Sequence, residues 1–447
     1  MALTRRRFVA GALSLPAVAV VGLRGDGGPS VAVAQAPPPD DLPPGLDDRS
    51  VVRGLYELDP ALQHFATFVL APHSAPVRAA IERHRQALDR NPRDHIAAVE
   101  LTAEDETARA VAGLLATSAD RIALTDSTTM GLGLVYGSFR AGPGDELLTT
   151  EHDHYSTHES LRPSAAASGA RLRKVRLYPP EHPERATAAG LLGALDDAIT
   201  RRTRLLACTW VHSGSGVRLP LRDVAELVAR HNRRRPAARR IVLAVDAAHA
   251  LGTQPIAVED LGCDVLIAGC HKWLLGPRGT GMVWAGDAAW ARLHPIIPSY
   301  AAALYGAWIA GATPVAPPGP TMSPGGYHSF EHRWALATAV RLQQRIGLDR
   351  IAARIAMLSQ ALRDGLGRIG GVTVHAPAEP ALRSGVVCCT VEGQSPQDVV
   401  RRLHDEHGIV ATVTPYPVAL VRFGTMHLNT PEEVEAACAA VAAVAEG

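Results

Sequence analysis

Cys263-Asp264-Val265-Leu266-Ile267-Ala268-Gly269-Cys270-His271-Lys272-Trp273, followed by Gly276-Pro277-Arg278-Gly279-Thr280-Gly281, is the stretch on which the fold turns. It predicts an apolar strand over 265–269 that ends in a His-Lys pair, then a glycine-rich turn, then another strand over 281–285. A lysine at the tip of a buried strand is costly unless it has a chemical task. The plainer reading, a surface lysine in a loop, fits poorly between an apolar run and Gly-Pro-x-Gly-x-Gly. Upstream, Ile241-Val242-Leu243-Ala244-Val245 is a further apolar strand, and it ends in Asp246-Ala247-Ala248-His249. Two strand ends, one offering a carboxylate and the other His-Lys, define a site.

Working outward, short strands are predicted over 121–125, 146–149, 172–177 and 204–208. An amphipathic stretch lies at 132–139, and a helix at 222–235 sets Val224, Leu227, Val228 and His231 on one face. Strands alternating with helices argue an open, mostly parallel α/β sheet, with ligands gathered beyond the carboxyl ends of its strands. From Phe330 the pattern changes to long helices over 330–346 and 351–369. Strands over 386–391 and 418–423 then flank a helix at 396–406, and a last helix after Pro431 opens with the capping-box pair Thr430 and Glu433. The expected organisation is a large domain over 51–329 and a smaller α+β domain over 330–447.

The chemistry that needs lysine and aspartate on neighbouring strand ends is that of pyridoxal 5'-phosphate (PLP). Lys272 would form the Schiff base, and Asp246 would keep the pyridine nitrogen protonated so that the ring acts as an electron sink. Taken alone, Asp246 could equally cap the next helix. Ser127, Thr128 and Thr129 follow a strand and open a helix, an arrangement suited to a phosphate as well as to simple capping. His152, or one of its neighbours in Glu151-His152-Asp153-His154, offers a flat ring for the cofactor face. A metal-dependent hydrolase built on His152, His154 and His158 is the competing reading, but their spacing matches no standard ligand set. His212 and Ser213 lie after another strand and could reach the cofactor's phenolic oxygen, or form a plain turn. Arg422 could fork a substrate carboxylate or pair at a sheet edge.

The 447 residues are 47% hydrophobic, enough for a large core, and the net charge of +1 gives no reason to invoke nucleic acid. Thr4-Arg5-Arg6-Arg7-Phe8 with the apolar run to Leu23 reads as a twin-arginine leader, too short to span a bilayer as a helix. Ala34-Gln35-Ala36 places its cleavage after residue 36, and residues 37–50 read as a Pro- and Asp-rich linker. The expectation is export through the twin-arginine translocase to the periplasm, already folded and loaded with cofactor. The 6 cysteines match no zinc pattern.

Ser127-Thr128-Thr129, His152, Asp246-Ala-Ala-His249, His271-Lys272 and Val421-Arg422 occur in the order seen in class V aminotransferases, and the chain resembles that family over about residues 50–445. The similarity looks closest to the isopenicillin N epimerase-like branch. The resemblance implies a fold type I PLP enzyme with a mostly parallel seven-stranded-type sheet, no metal, and a homodimer with shared active sites. It further implies phosphate binding by Ser127, Thr128 and His271, His249 under the cofactor ring, His152 stacked above it, and Arg422 on the substrate carboxylate. The partner's Ser323–His328 loop would complete the phosphate site. The implied reaction acts at Cα of an amino acid or amino-acid-bearing metabolite through a Lys272 aldimine and a quinonoid. Transamination is its simplest form, with epimerisation or β-elimination as alternatives. Cysteine desulfurases carry Ser-Gly-His-Lys where this chain has Gly269-Cys270-His271-Lys272. They also need a loop cysteine that this chain does not clearly have, which disfavours desulfuration.

Overall fold

The computed structural model describes residues 42–447. The leader at 1–36 and the start of the linker lie outside the described residues. Among the described residues no helix is long and apolar enough to cross a membrane.

Seven strands form the central sheet: β1 Ile122–Thr125, β2 Glu146–Thr150, β3 Arg171–Val175, β4 Thr203–Thr209, β5 Val242–Asp246, β6 Val265–Gly269 and β7 Gly281–Ala285. They lie side by side as β1-β7-β6-β5-β4-β2-β3. All neighbours run parallel except β7, which is antiparallel to both β1 and β6. The fold is therefore α/β with a mostly parallel sheet, as the alternating pattern predicts. β4, β5 and β6 are buried along their whole length, which is why they read as unbroken apolar runs rather than as alternation. Each fully buried Leu, Ile or Val stabilises by about 1.5–3 kcal/mol relative to an exposed one.

The helix Thr128–Ser138 is not amphipathic as its sequence suggests. It lies over β6, β7 and β1, and a Cβ on Gly131 would come 2.7 Å from Ile267 Cγ2 and 3.0 Å from Val283 Cγ2. Residues on most of its faces are buried, so it needs no polar stripe. The helix expected over 222–235 runs Leu221–Asn232. It stops early because the Asn232 amide bonds both backbone groups of Ile241, and Pro236 follows.

In the C-terminal part, Phe330–Ile346 and Leu348–Leu366 are helices. A smaller antiparallel sheet holds Val372–His375, Val386–Val391, Thr412–Val413 and Val421–Gly424. The last helix, Pro431–Glu446, has the capping box formed by Thr430 and Glu433. The helix Phe330–Ile346 packs on the helices Ala75–Arg90 and Pro92–Leu114 of the N-terminal part. In return, Gln63–His64 pairs in parallel with Ile409–Val410, and Phe65 shares a core with Leu358, Val387 and Phe423. The segment Gln63–Phe65 is thus packed into the C-terminal part.

Candidate active site

A cavity of about 200 Å³ opens where the carboxyl ends of the parallel strands meet the C-terminal part. Strands β1, β4, β5 and β6 contribute their last residue or the turn after it. Asp246 ends β5, Thr209 ends β4, His271 and Lys272 follow β6, and Ser127–Thr129 follow β1. Arg422, on the strand Val421–Gly424, closes the far wall together with Pro415.

Asp246 is 4% exposed, and its Oδ1 accepts from the Ala248 N–H at 2.9 Å. Burial pushes its carboxyl up to about 6, opposed by the Ala248 hydrogen bond and the positive charge of Lys272. Burial also lowers the Lys272 amine, with Asp246 resisting and Arg422 adding to the fall. The two groups face each other across the cavity as a carboxylate and an amine of weakened basicity, the state a nucleophilic lysine requires. Lys272 Nζ lies 3.3 Å from His249 Nε2, and the His249 Nδ1 accepts from the Trp273 indole at 3.1 Å.

Ser127 is the N-cap of the helix Thr128–Ser138 and accepts from the Met130 N–H at 3.1 Å. Thr128 and Thr129 begin that helix inside the cavity wall. Thr128 Oγ1 and Thr209 Oγ1 are buried without a hydrogen-bond partner. An orphaned Thr128 hydroxyl at a helix N-terminus that opens on a cavity suits a bound phosphate. The missing hydroxyl at Gly269 has a physical reason: a Cβ there would lie 2.9 Å from Thr128 Oγ1. Thr128 fills the space that a serine would need. His271 also lines the cavity, its Nδ1 placed 3.4 Å from the Thr280 carbonyl.

The structure does not bring every sequence candidate into the cavity. His152 stacks on Tyr178 at 3.8 Å with an interplanar angle of 12°, and its Nε2 accepts from the N–H groups of Leu177 and Tyr178. Burial pulls it down to about 3. His154, two residues on, lines the cavity instead. His212 bonds Tyr178 Oη at 2.9 Å behind the wall, while Ser213 reaches the cavity and bonds Tyr416 Oη at 2.6 Å. His158 turns to the Thr150 carbonyl and to Lys174. The metal site imagined from His152, His154 and His158 is therefore dispersed. Among the described residues no group of three or more His, Cys, Asp or Glu side chains is placed to hold a metal ion.

Thr209, Tyr416 and Ser156 carry no local sequence signal; only the fold brings them to the site. Arg422 is held by hydrogen bonds from Nη1 to the Ser213 carbonyl at 2.9 Å and from Nε to Thr412 Oγ1 at 3.0 Å. Its guanidinium sits 5.0 Å from the Phe68 ring centre. Among the described residues no carboxylate pairs with it, against the edge salt bridge that its sequence position allows. No cysteine of the described residues lines the cavity: Cys208, Cys263, Cys270, Cys388 and Cys389 are buried, and Cys438 is partly exposed elsewhere.

A mostly parallel sheet with a lysine, a carboxylate and an anion cradle at its strand ends defines a class of cofactor-dependent site. The model of the class-V aminotransferases matches residues 75–436, and the chain belongs to that family. A probable cysteine desulfurase of Halalkalibacterium halodurans is 26% identical over 302 residues, covering 66% of this chain and 68% of that one. Isopenicillin N epimerase of Streptomyces clavuligerus is 26% identical over 402 residues, covering 87% and 96%. Among solved structures, a lysine mutant of C-DES with glycine covalently linked to its PLP cofactor matches with a TM-score of 0.77 at 22% identity, covering 88% of this chain and 99% of that one.

Proposed function

We propose that the chain is a PLP-dependent enzyme acting at Cα of an amino acid or amino-acid-bearing metabolite, with transamination as its reaction. The observation that carries this is Lys272 and Asp246 facing one cavity whose rim holds the orphaned Thr128 hydroxyl. Lys272 would hold the cofactor through its amine, Asp246 its ring nitrogen, and Ser127, Thr128, Thr129 and His271 its phosphate. His249 and Ser213 line the remaining wall, and His154, rather than His152, offers a flat ring there. The cofactor supplies an electron sink. Lys272 then takes the Cα proton and returns it.

The names of the relatives favour two other outcomes on the same scaffold, epimerisation and sulfur removal. Moving the sulfur of cysteine onto the enzyme as a persulfide needs an enzyme thiol as acceptor, and no described cysteine lines the cavity, so this outcome has no support among the lining residues. Epimerisation needs the same proton abstraction and remains the second reading. Export by the twin-arginine translocase to the periplasm, and a homodimer in which the loop 323–328 reaches the partner's site, complete the proposal. Tyr327 in that loop is 90% exposed.

A visible spectrum of the purified protein with and without borohydride tests the reading, followed by peptide mapping. The expected result is an absorbance band lost on reduction, with the cofactor fixed on Lys272. Amino donors should then convert the cofactor to its amine form. No such conversion with any donor, alongside loss of Cα chirality, sinks transamination in favour of epimerisation.

Arg422 gives a second test. Its fixed guanidinium places Nη2 free of protein hydrogen bonds among the described residues, as a substrate carboxylate requires. Arg422→Ala is expected to raise KM for α-carboxylate substrates by about 10- to 100-fold, the worth of one charge-assisted hydrogen bond. Arg422→Lys should recover only part of that, because an ammonium lacks the planar fork. Unchanged KM in Arg422→Ala, measured by steady-state kinetics, removes Arg422 from substrate binding.

A further inference from the structure

Trp273, His249 and Lys272 set their side-chain nitrogens in a row at the cavity edge. Trp273 Nε1 is 3.1 Å from His249 Nδ1, and His249 Nε2 is 3.3 Å from Lys272 Nζ. The indole is 1% exposed, packs against Phe68 at 5.7 Å, and lies so close to Gly385 that a Cβ there would come 2.7 Å from Trp273 Cη2. It has no room to turn away. An indole N–H only donates. His249 Nδ1 must therefore accept, and in a neutral imidazole the proton is then on Nε2. That N–H points at the Lys272 amine. An ammonium in this place would set donor against donor, whereas a free amine offers its lone pair. The direction of the whole row is fixed at its indole end.

We propose that Trp273 is a positioning residue for Lys272: its indole N–H holds His249 as the neutral, Nε2-protonated imidazole, so that Lys272 faces it as a free amine. The proposal rests on the reading of Lys272 as the amine that takes the cofactor.

The charged and titratable groups around the row act as follows. Lys272 is faced by Asp246, which favours the ammonium, and by Arg422, which disfavours it. His249 is desolvated by burial and faced by Lys272, Arg422 and His154, all of which disfavour an imidazolium. Among these groups Asp246 alone draws a proton toward the lysine. Without the indole, His249 could move its proton to Nδ1 and accept at Nε2 from an ammonium, and Asp246 would win. With the indole in place that tautomer is closed, and the amine stays nucleophilic and basic in the same place. His154 is restricted in the same way, because its Nδ1 accepts from the Ser156 backbone N–H at 3.2 Å. Neither histidine can gain a proton without losing a hydrogen bond, which leaves proton movement at Cα to Lys272.

The chain has 2 lysines, Lys174 and Lys272, so amine chemistry can be read residue by residue. The full chain is stripped of carbonyl-bound cofactor with hydroxylamine. It is then labelled with acetic anhydride across pH, and each lysine is followed by peptide mass. Trp273→Phe keeps a ring and removes the N–H. Its Lys272 labelling midpoint is expected to rise by about one pH unit, a tenfold loss of labelling at a fixed pH below both midpoints. Lys174 labelling should not move. A merely structural role for Trp273 predicts changed stability and an unmoved midpoint. A native midpoint in a natively melting Trp273→Phe chain overturns the proposal. If that variant does not fold, nitrogen NMR of the histidine-labelled native chain reads the tautomer directly, with His249→Gln identifying the resonance. A proton on His249 Nδ1 overturns the proposal, and one on Nε2 alone supports it. The two readings fail separately. A chain that takes up no cofactor yet shows the midpoint shift removes the enzyme reading and keeps the row. Cofactor uptake without a shift does the reverse.

Discussion

Lys272→Ala is expected to abolish reduction of cofactor onto the chain and to lower turnover by at least about 10²–10⁴-fold, the share that proton transfer alone supplies. The loss is larger than for any other single substitution because one amine serves as both anchor and base. The same change should leave the fold almost untouched. Lys272 is half-buried and its amine is lowered by burial, so removing it relieves a desolvated group. The expected stability change is about 1 kcal/mol or less. Far-UV circular dichroism and urea unfolding check the fold, and turnover with stripped and reloaded protein checks the chemistry. Lys174→Ala serves as the control, since Lys174 is exposed and bonds only His158 in the described structure. Unchanged turnover in Lys272→Ala would remove Lys272 from the chemistry, and a native chain that turns over no amino substrate would end the enzyme reading.

The sheet and the Lys272–Asp246 pair were legible because both are written locally. Strands β5 and β6 are buried runs of Val, Leu, Ile and Ala, and their polar residues begin where the strands stop. The capping box at Thr430 and Glu433 is likewise a four-residue signal. The identity of the cavity histidine was not legible. His152 and His154 lie in a turn, where neither the helical period nor the strand period assigns a face. Asp153 decides the matter: its carboxylate takes the Thr149 hydroxyl and the N–H groups of Thr150 and Thr209. The Thr209 contact is set by strand pairing far away in sequence. It folds the turn so that His152 leans onto Tyr178 and His154 caps the helix Tyr155–Ser168 at the cavity. His212 was displaced in the same manner, by Tyr178 Oη. Tyr416 and Thr209 were invisible because their roles arise from long-range packing alone. The antiparallel entry of β7 between β1 and β6 was equally beyond a reading by periodicity, since periodicity gives strands and not their neighbours.

Asp246→Asn is expected to have effects of opposite sign on stability and on catalysis. The folded carboxyl is raised from 3.8 to about 6, mainly by burial. A carboxyl raised on folding stabilises the chain at low pH and loses that contribution as pH climbs. The unfolded chain ionises from about pH 4 upward, while the folded one resists until about pH 6. Across that window the cofactor-free protein therefore loses up to about 3 kcal/mol, since each pH unit costs about 1.4 kcal/mol. Above about pH 6 the loss is complete. The amide has nothing to ionise and keeps an oxygen for the Ala248 N–H. Urea unfolding of the stripped protein at about pH 7.5 should then show Asp246→Asn more stable than the native chain, with the two converging at about pH 4. Turnover should fall by about 10²–10³-fold, the usual cost of losing one preorganised charge. Adding cofactor should reverse the stability order, because a protonated ring nitrogen gives the buried carboxylate the partner that the stripped chain lacks. A stripped Asp246→Asn chain less stable than native at that higher pH would show that Asp246 is stabilised as an ion by the protein itself. Its burial would then be structural, and the cofactor would not be what it waits for.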